Sequence, residues 1–285
     1  MLKNNPFSIL IIGACSFFLS SCILANKTVS FSDPQSPRYA KLNISASNTE
    51  DDKKIIKVVS YNIDLCKRIE GVPKFLLENP SLANADIICL QEMNLKGLEF
   101  IANALKYNYV YYPSAIHPGN HKDFGQAILS RWPIEKDQKI LLPFSFKDRY
   151  IKIQRCAIGA VILINNREIH LFSAHLGVII SPEQRKKQIQ AIISAIPPDA
   201  GQCIIAGDFN TYARIHSQAV TQALEDSGFK LATRNTGWTY KYWYLFNYKT
   251  ALDYIFYKGL KLIKAGKISD RSRSDHLPIW ADFEY

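Results

Sequence analysis

Ile204-Ile205-Ala206-Gly207-Asp208-Phe209-Asn210 is a hydrophobic run that ends abruptly in polar ligands. Asp208 and Asn210 are two residues apart, so on an extended chain their side chains share a face. A carboxylate beside an amide oxygen suits a hard cation such as Mg²⁺. A later stretch, Ser274-Asp275-His276-Leu277-Pro278, adds a carboxylate and an imidazole that can move protons near neutral pH. A metal and a base together can hydrolyse a phosphate ester.

The same pattern recurs elsewhere, because other apolar runs also begin or end in polar side chains. These residues are Asn62, Glu92, His175 and Asp253. An unpaired carboxylate is costly to bury, so we expect these groups to converge on one cluster or to reach water. Each residue alone also has an ordinary explanation, such as an Asx turn for Asp208 and Asn210 or a helix N-terminal acid for Glu92.

The order of strand-like and helical runs predicts the fold class. Short β-type runs alternate with helical ones from Ile55 onwards, and Leu95–Leu105 has helical spacing of its apolar residues. Ser181 and Pro182 supply a cap and a first-turn proline for another helix. About ten strands with several helices predict an α+β fold in which helices lie outside packed sheets.

Composition and charge narrow the class of protein. The chain has 285 residues, of which 47% are hydrophobic and 21% charged, and this balance excludes a disordered or fibrous protein. The formal net charge is +10. A basic surface favours anionic partners such as nucleic acid or lipid head groups. The alternative is that exported bacterial proteins are often basic without binding a polyanion.

Residues 1–22 predict a lipoprotein-type signal peptide. Lys3 gives a positive start, and Pro6–Leu19 is an apolar stretch of signal-peptide length. Leu19-Ser20-Ser21-Cys22 resembles a bacterial lipobox, in which the cysteine is lipidated after cleavage. Cleavage after Ala25 and an uncleaved anchor remain alternatives. The prediction is an exported lipoprotein, held by lipid on Cys22 at the membrane of the bacterial cell envelope, on its periplasmic or surface side.

The rest of the chain divides into a tether and one domain. Residues 23–54 are polar without an apolar period and predict a flexible tether, and residues 55–285 form the folded domain. Four cysteines follow the signal peptide: Cys66, Cys89, Cys156 and Cys203. Disulfides among them stay possible, but cysteines inside hydrophobic runs favour buried free thiols.

A series of motifs resembles the endonuclease/exonuclease/phosphatase superfamily, the DNase I-like group. In chain order the motifs are Ser-Tyr-Asn62, Cys-Leu-Gln-Glu92, Gly125-Gln-Ala-Ile-Leu-Ser-Arg131, Ala-His175-Leu, Gly-Asp208-Phe-Asn210, Leu-Asp253-Tyr-Ile and Ser-Asp275-His276-Leu-Pro. The resemblance covers residues 55–285. It implies a catalytic domain built as a four-layer αββα sandwich, with two packed mixed β-sheets and helices outside.

The resemblance also implies a metal site. Glu92 resembles the main Mg²⁺ ligand, with Asn62 and Asp275 close to the metal; Mn²⁺ is a possible substitute. Asp208 is similar to a residue that, with Asn210, positions the attacking water or a second ion and binds the phosphate.

The remaining roles concern proton transfer and substrate binding. His276 resembles the general base, oriented by Asp253. His175 is similar to a second catalytic histidine that binds a phosphoryl oxygen or assists the leaving group. Arg155 matches a strand position that contacts phosphate, with a plain surface arginine as the alternative. The other histidines are expected at the surface or in loops: His117, His121, His170 and His216.

These features predict a Mg²⁺-dependent phosphoesterase that hydrolyses a phosphodiester, as a nuclease does, or a phosphomonoester. The alternatives are a lipid-directed phosphodiesterase or phosphatase, and a non-catalytic surface lipoprotein that binds a phosphorylated ligand. The expected partners are nucleic acid or a phospholipid head group as substrate and a membrane surface through the N-terminal lipid, with no protein partner. The aromatic segment 238–248 could stack nucleobases, enter a lipid interface or pack on the core.

Overall fold

The computed structural model describes residues 29–42, 54–143, 153–242 and 248–285. The predicted signal peptide over 1–22, with Cys22, lies outside the described residues, and so do residues 23–28 and 43–53 of the predicted tether. Among the residues described, no helix combines the length and the apolar character needed to cross a membrane.

The larger sheet has seven strands. They are β1 (Tyr39–Lys41), β2 (Ile55–Asn62), β3 (Ile87–Met93), β4 (Asn108–Ile116), β5 (Asp123–Ser130), β14 (Lys261–Lys267) and β15 (Ile279–Glu284). Their order across the sheet is β1-β4-β5-β3-β2-β15-β14. β2 and β3 run parallel, whereas β2 and β15 run antiparallel. The sheet is therefore mixed.

The smaller sheet has six strands. They are β6 (Ile134–Leu142), β7 (Arg155–Ile164), β8 (Arg167–His175), β9 (Cys203–Asp208), β10 (Lys230–Leu231) and β13 (Asp253–Lys258). Their order is β10-β13-β9-β8-β7-β6, with β8 and β9 parallel. A separate ribbon pairs β11 (Tyr240–Lys241) with β12 (Lys249–Thr250).

The two sheets pack face to face over one apolar core. Val58 and Ile279 from the larger sheet belong to the same cluster as Ile158, Ile204 and Ile255 from the smaller one, and all five are fully buried. Burying a side chain of this size contributes roughly 1.5–3 kcal/mol. The branched residues that favour strands thus also supply the cohesion between the sheets.

Helices cover the outer face of each sheet. They are α1 (Val72–Glu78), α2 (Leu95–Leu105), α3 (Pro182–Ser194) and α4 (Arg214–Glu225). Buried residues of α1 and α2 pack on the larger sheet, and those of α3 and α4 pack on the smaller one. The result is four layers in the order αββα. The predicted fold class is confirmed.

Capping residues set the start of two helices that the sequence predicts. Asn94 precedes α2, and its side-chain oxygen accepts a hydrogen bond from the backbone N–H of Gly97 at 2.8 Å. Ser181 precedes α3 and accepts in the same way from Gln184 at 3.2 Å. These bonds satisfy backbone donors that a helix cannot satisfy within its first turn.

Residues 29–42 pack on the domain, so the predicted tether is wrong for this part of the chain. β1 extends the larger sheet by pairing antiparallel with β4. The buried ammonium of Lys139 donates to the carbonyl oxygens of Phe31, Asp33 and Ser36 at 2.7–3.0 Å. The ion pair of Arg38 with Asp137 and the stacking of Tyr39 on Tyr111 add to these backbone contacts. The polar composition of the segment does not indicate such partners.

All four described cysteines are free thiols, as expected. Cys89, Cys156 and Cys203 are buried, and Cys66 is half-buried. Burial raises the pKa of the Cys89 thiol to about 12. Such a thiol stays protonated at neutral pH and acts as a small core residue.

Candidate active site

Polar strand ends meet at one end of the sandwich. His175 ends β8 and lies opposite Asp208, the last residue of the parallel neighbour β9. Asp208 also lies opposite Asp253, which begins the antiparallel strand β13. In the larger sheet, Asn62 ends β2 opposite Gln91 of β3. Strand register alone therefore brings together side chains that are far apart in the sequence.

Gly207 allows β8 and β9 to approach closely just before Asp208. Its φ angle is 150°, and a Cβ atom at this position would lie 2.0 Å from the carbonyl oxygen of Ala174. Any other residue would collide with the neighbouring backbone. The glycine before Asp208 is therefore a steric requirement of the site.

The Asp208 carboxylate links groups from both sheets. One oxygen, Oδ2, accepts a hydrogen bond from Asn62 Nδ2 at 3.1 Å, and Oδ1 accepts one from the backbone N–H of Asn210 at 2.8 Å. The Nε2 atoms of His175 and His276 lie 3.6 and 3.7 Å from Oδ2. Burial raises the pKa of Asp208 to about 6, although the charge of His276 and these hydrogen bonds act in the opposite direction.

His276 forms a pair with Asp253. Its Nδ1 lies 2.9 Å from Asp253 Oδ2, so the bond assigns the proton to Nδ1 and directs Nε2 towards Asp208. Ser274 fixes the loop, because its hydroxyl donates to the carbonyl oxygen of Asn62 at 2.6 Å and accepts from the His276 backbone N–H at 3.1 Å. Burial lowers the pKa of His276, but the carboxylates of Asp253 and Asp208 outweigh it and raise the pKa well above its ordinary value.

Glu92 reaches the site through an irregularity in β3. The pairing of β3 with β5 shifts register between Leu90 and Met93, and Glu92 has a φ angle of 58°. Such a bulge can re-aim a side chain relative to the regular alternation of a strand. Burial, followed by the negative charge of Asp275, raises the pKa of the Glu92 carboxyl to about 7. Asp208 raises this pKa further, which indicates that the acids act on one another.

The acidic groups fit a divalent cation. Within the described ranges, neither Glu92 nor Asp275 forms an ion pair with a lysine or arginine. Two carboxylates that repel each other without a basic partner favour a bound cation, and an oxygen donor set suits Mg²⁺ or Mn²⁺. Asn62 Oδ1 already accepts from the Asp64 N–H at 3.0 Å, but an amide oxygen has a second lone pair.

A second group of possible ligands surrounds Asp208. Ligand atoms of Asp208, Asp253 and His276 lie within 4.8 Å of one another. One oxygen of Asp253, Oδ1, is buried without a hydrogen-bond partner among the described residues. A metal on His276 Nδ1 would have to break its 2.9 Å bond to Asp253. Glu92 and Asp275 are the alternative carboxylate ligands for a cation.

Arg155 offers a positive charge beside His175. Its Nη1 lies 3.1 and 3.2 Å from the two ring nitrogens of His175, and its guanidinium lies 5.0 Å from the ring centre of Phe124. Among the described residues, no carboxylate forms a salt bridge with Arg155. Burial, then the charge of Arg155, holds the pKa of His175 well below its ordinary value, so the imidazole is neutral at neutral pH.

The contacts above bring together Asn62, Arg155, His175, Asp208, Asn210, Asp253 and His276, and Glu92 interacts electrostatically with Asp275 and with this group. Cys22 lies outside the described residues. Two further histidines depart from expectation, whereas His117 lies in a loop, as expected. His170 and His216 are buried, on β8 and α4, rather than exposed. His117 lies 5.7 Å, between ring centres, from Phe124, which itself packs 5.9 Å from His175. An isolated histidine without a motif gives no sequence signal for such a placement.

A comparison with known protein families finds one match over most of the domain. The model described as "Endonuclease/Exonuclease/phosphatase family" matches residues 59–276. UPF0294 protein VV2535 of Vibrio vulnificus (strain YJ016) is 30% identical over 125 residues, which are 44% of this chain and 40% of that protein. The chain spans about half the length of the curated relatives it matches.

Solved structures share the fold. An endonuclease/exonuclease/phosphatase family protein from Leptotrichia buccalis C-1013-b superposes with a TM-score of 0.66 at 20% identity, over 81% of this chain and all of that one. D. rerio TDP2, complexed with single strand DNA product, gives a TM-score of 0.64 at 16% identity, over 82% of this chain and all of that one. At these identities the likeness concerns the fold alone.

Proposed function

Because the chain belongs to the endonuclease/exonuclease/phosphatase family, we propose that it is a divalent-metal-dependent phosphoesterase with His276 as general base. One observation carries the proposal. The Asp253–His276 pair, hydrogen-bonded at 2.9 Å, adjoins Asp208, while the pKa of Glu92 is raised by burial and by the neighbouring acid Asp275. A proton acceptor thus lies beside an acidic site that favours a cation.

The chain's own residues supply most of the chemistry. His276 Nε2 accepts a proton from the attacking water, and Asp253 holds the opposite side of the ring and stabilises the imidazolium. Asp208, held by Asn62 and the Asn210 N–H, orients that water. A divalent cation on Glu92 and Asp275, with Asn62 and Asp208 close by, would neutralise charge on the phosphoryl group and the leaving oxygen.

Three donors bind the phosphoryl oxygens: a cationic guanidinium, a neutral imidazole and a side-chain amide. The Arg155 guanidinium has several N–H groups and no carboxylate partner among the described residues. His175 is neutral, so one ring nitrogen donates a hydrogen bond to a phosphoryl oxygen or to the leaving group. Asn210 uses its side-chain amide to donate to the carbonyl oxygen of Leu176 at 2.9 Å, and its second amide hydrogen remains for the substrate.

We propose a nucleic acid phosphodiester as the substrate. The Tyr240 ring packs 4.8 Å from the His276 ring, and Tyr242 packs edge-on against Tyr240 at 4.7 Å. Tyr248 is 48% exposed next to them, and the Lys249 ammonium lies over Trp238. Aromatic rings alternating with positive charge favour stacked bases and backbone phosphates. D. rerio TDP2 complexed with single strand DNA product shares the fold.

A lipid substrate is the second candidate. Val178 and Ile179 follow His175 in the loop before α3 and are 38% and 42% exposed. Apolar side chains beside the site would favour a lipid surface over water. Anchoring through lipid on Cys22 would place the domain at such a surface. Mass spectrometry of the exported protein from a bacterial host tests the anchor, because Cys22→Ala would abolish the lipid-modified N-terminal peptide.

A substrate panel tests the proposed function. The purified chain is incubated with single-stranded DNA, plasmid DNA, RNA, sphingomyelin vesicles, phosphoinositides and sugar phosphates, each with Mg²⁺, Mn²⁺ or EDTA. We expect hydrolysis of single-stranded nucleic acid with either metal and none with EDTA. Faster hydrolysis of the lipids would favour the second candidate. No hydrolysis of any substrate with either metal would reject the enzyme in favour of a binding protein.

A further inference from the structure

Arg185 of α3 is buried behind the site, and no acidic side chain among the described residues forms a salt bridge with it. Its side chain is fully buried, and Nη1 donates to the carbonyl oxygens of Gly177 and Phe209, each at 2.8 Å. Nη2 donates to the carbonyl oxygen of Val178 at 2.8 Å. The guanidinium also lies 5.5 Å from the ring centre of Tyr212. These three acceptors are neutral backbone oxygens.

Gln188, one helical turn further along α3, holds the same loop. Its Oε1 accepts from the Gly177 N–H at 2.9 Å, and its Nε2 donates to the carbonyl oxygen of Pro143 at 3.0 Å. Residues three apart lie on one face of a helix. Arg185 and Gln188 therefore bind both polar groups of the Gly177 backbone from one face of α3.

The carbonyl groups that Arg185 binds belong to the loops that carry the site. Gly177 lies two residues after His175, and Phe209 lies between Asp208 and Asn210. The loops are also joined directly, because the Leu176 N–H donates to the Asp208 carbonyl oxygen at 2.9 Å. The Asn210 side chain donates to the Leu176 carbonyl oxygen at 2.9 Å.

The burial of an arginine charge needs a reason, because desolvation of an ion is costly. A helix residue that only filled space behind the loops could be apolar. The planar guanidinium instead presents several donors in a fixed geometry, and here they bind carbonyl groups from two separate loops. A misplacement of about 1 Å in a catalytic group can cost about 10²-fold in rate.

We propose that Arg185 and Gln188 are positioning residues, which fix the loops after β8 and β9 so that His175, Asp208 and Asn210 keep their spacing. This inference rests on the proposed function of the same site. Neither residue touches the reacting atoms. Their effect passes through the backbone at Gly177 and Phe209.

The test compares four substitutions with a control on the same helix. Arg185→Met removes the N–H donors. Arg185→Lys keeps the positive charge but loses the fixed planar arrangement of donors. Gln188→Leu removes both bonds, and Gln188→Glu keeps the acceptor for the Gly177 N–H. Lys186→Met changes an exposed neighbour. For each protein, kcat and KM for bis-p-nitrophenyl phosphate with Mg²⁺ are measured, along with the thermal unfolding midpoint.

We expect kcat of Arg185→Met to fall about 10- to 100-fold with a KM close to wild type, measured well below its unfolding midpoint. The kcat of Arg185→Lys and of Gln188→Leu should fall less. The kcat of Gln188→Glu and of Lys186→Met should stay near the wild-type value. Folded Arg185→Met with unchanged kcat would overturn the inference, even if its midpoint is lower. If Arg185→Met does not fold, equal kcat values for Gln188→Leu and wild type would overturn it. No turnover by wild type would reject the proposed function, and the inference with it.

Discussion

The two halves of the site differ in how their charges are satisfied. Around Asp208 and His276, each charged group has a hydrogen-bond partner, with distances of 2.8–3.1 Å. Around Glu92, burial and the charge of Asp275 raise the pKa of the carboxyl, and neither acid forms a salt bridge with a lysine or arginine among the described residues. In the proposed function, the first half transfers the proton and the second half binds the cation. Substitutions should therefore separate the two halves.

The largest effect should come from the proton-transfer half. His276→Ala removes the general base, so we expect kcat to fall by about 10²- to 10⁴-fold. Metal affinity should change little, because the cation is assigned to Glu92 and Asp275. Steady-state kinetics across a Mg²⁺ series gives both quantities. A His276→Ala protein with wild-type kcat would remove this half from the mechanism.

Substitutions in the half that contains Glu92 and Asp275 should change the metal concentration that activity requires. Glu92→Gln removes a carboxylate ligand, and we expect the Mg²⁺ concentration for half-maximal activity to rise roughly 10- to 100-fold. Glu135→Gln, at an exposed position on β6, is the matched control and should leave the Mg²⁺ dependence unchanged. An equal Mg²⁺ dependence in Glu92→Gln and wild type would contradict the assignment of the ligand.

The pH dependence of the rate tests the Asp253–His276 pair. His276 must be neutral to accept a proton, and its pKa is raised well above the ordinary value by Asp253 and Asp208. We therefore expect kcat/KM to rise with pH through neutrality. Asp253→Asn removes the largest raising charge, so the rising limb should move to lower pH, beside a loss of rate. A rising limb at the same pH in both proteins would contradict the pairing.

The smallest effect should be on stability without metal. The Glu92 pKa is about 7 in the folded protein against 4.5 for an ordinary glutamate. The folded state thus holds this proton more tightly, so the contribution of Glu92 to stability in EDTA should be fully present below pH 4.5 and should be lost as pH rises towards 7. At pH 8, Glu92→Gln should raise the free energy of unfolding by about 1–3 kcal/mol. Thermal unfolding of both proteins in EDTA checks this, and a less stable Glu92→Gln would contradict the repulsion.

Features carried by a single strand or helix could be predicted from the sequence. Apolar runs that end at His175 and Asp208 indicated strand ends, and α2 has the bounds Leu95–Leu105 that its spacing predicts. The order of the motifs, through the family they resemble, indicated the αββα layers. These signals are local, so one sequence contains them.

Features that depend on distant partners could not be predicted. β6 is an edge strand with several exposed polar residues, and its pattern resembles a loop. The bulge at Glu92 depends on its pairing with β5. Arg185 resembles an ordinary surface residue of a helix until its three carbonyl acceptors from two loops are known. Residues 29–42 bind through backbone carbonyls, which composition does not encode.

The central claim is that Glu92 and Asp275 hold a cation independently of the Asp253–His276 pair. Electron paramagnetic resonance of Mn²⁺ titrated into the full chain measures bound metal directly. We predict tight Mn²⁺ binding in wild type and in His276→Ala, and loss of this binding in the double variant Glu92→Gln, Asp275→Asn. Equal Mn²⁺ binding by that double variant and wild type would contradict the account.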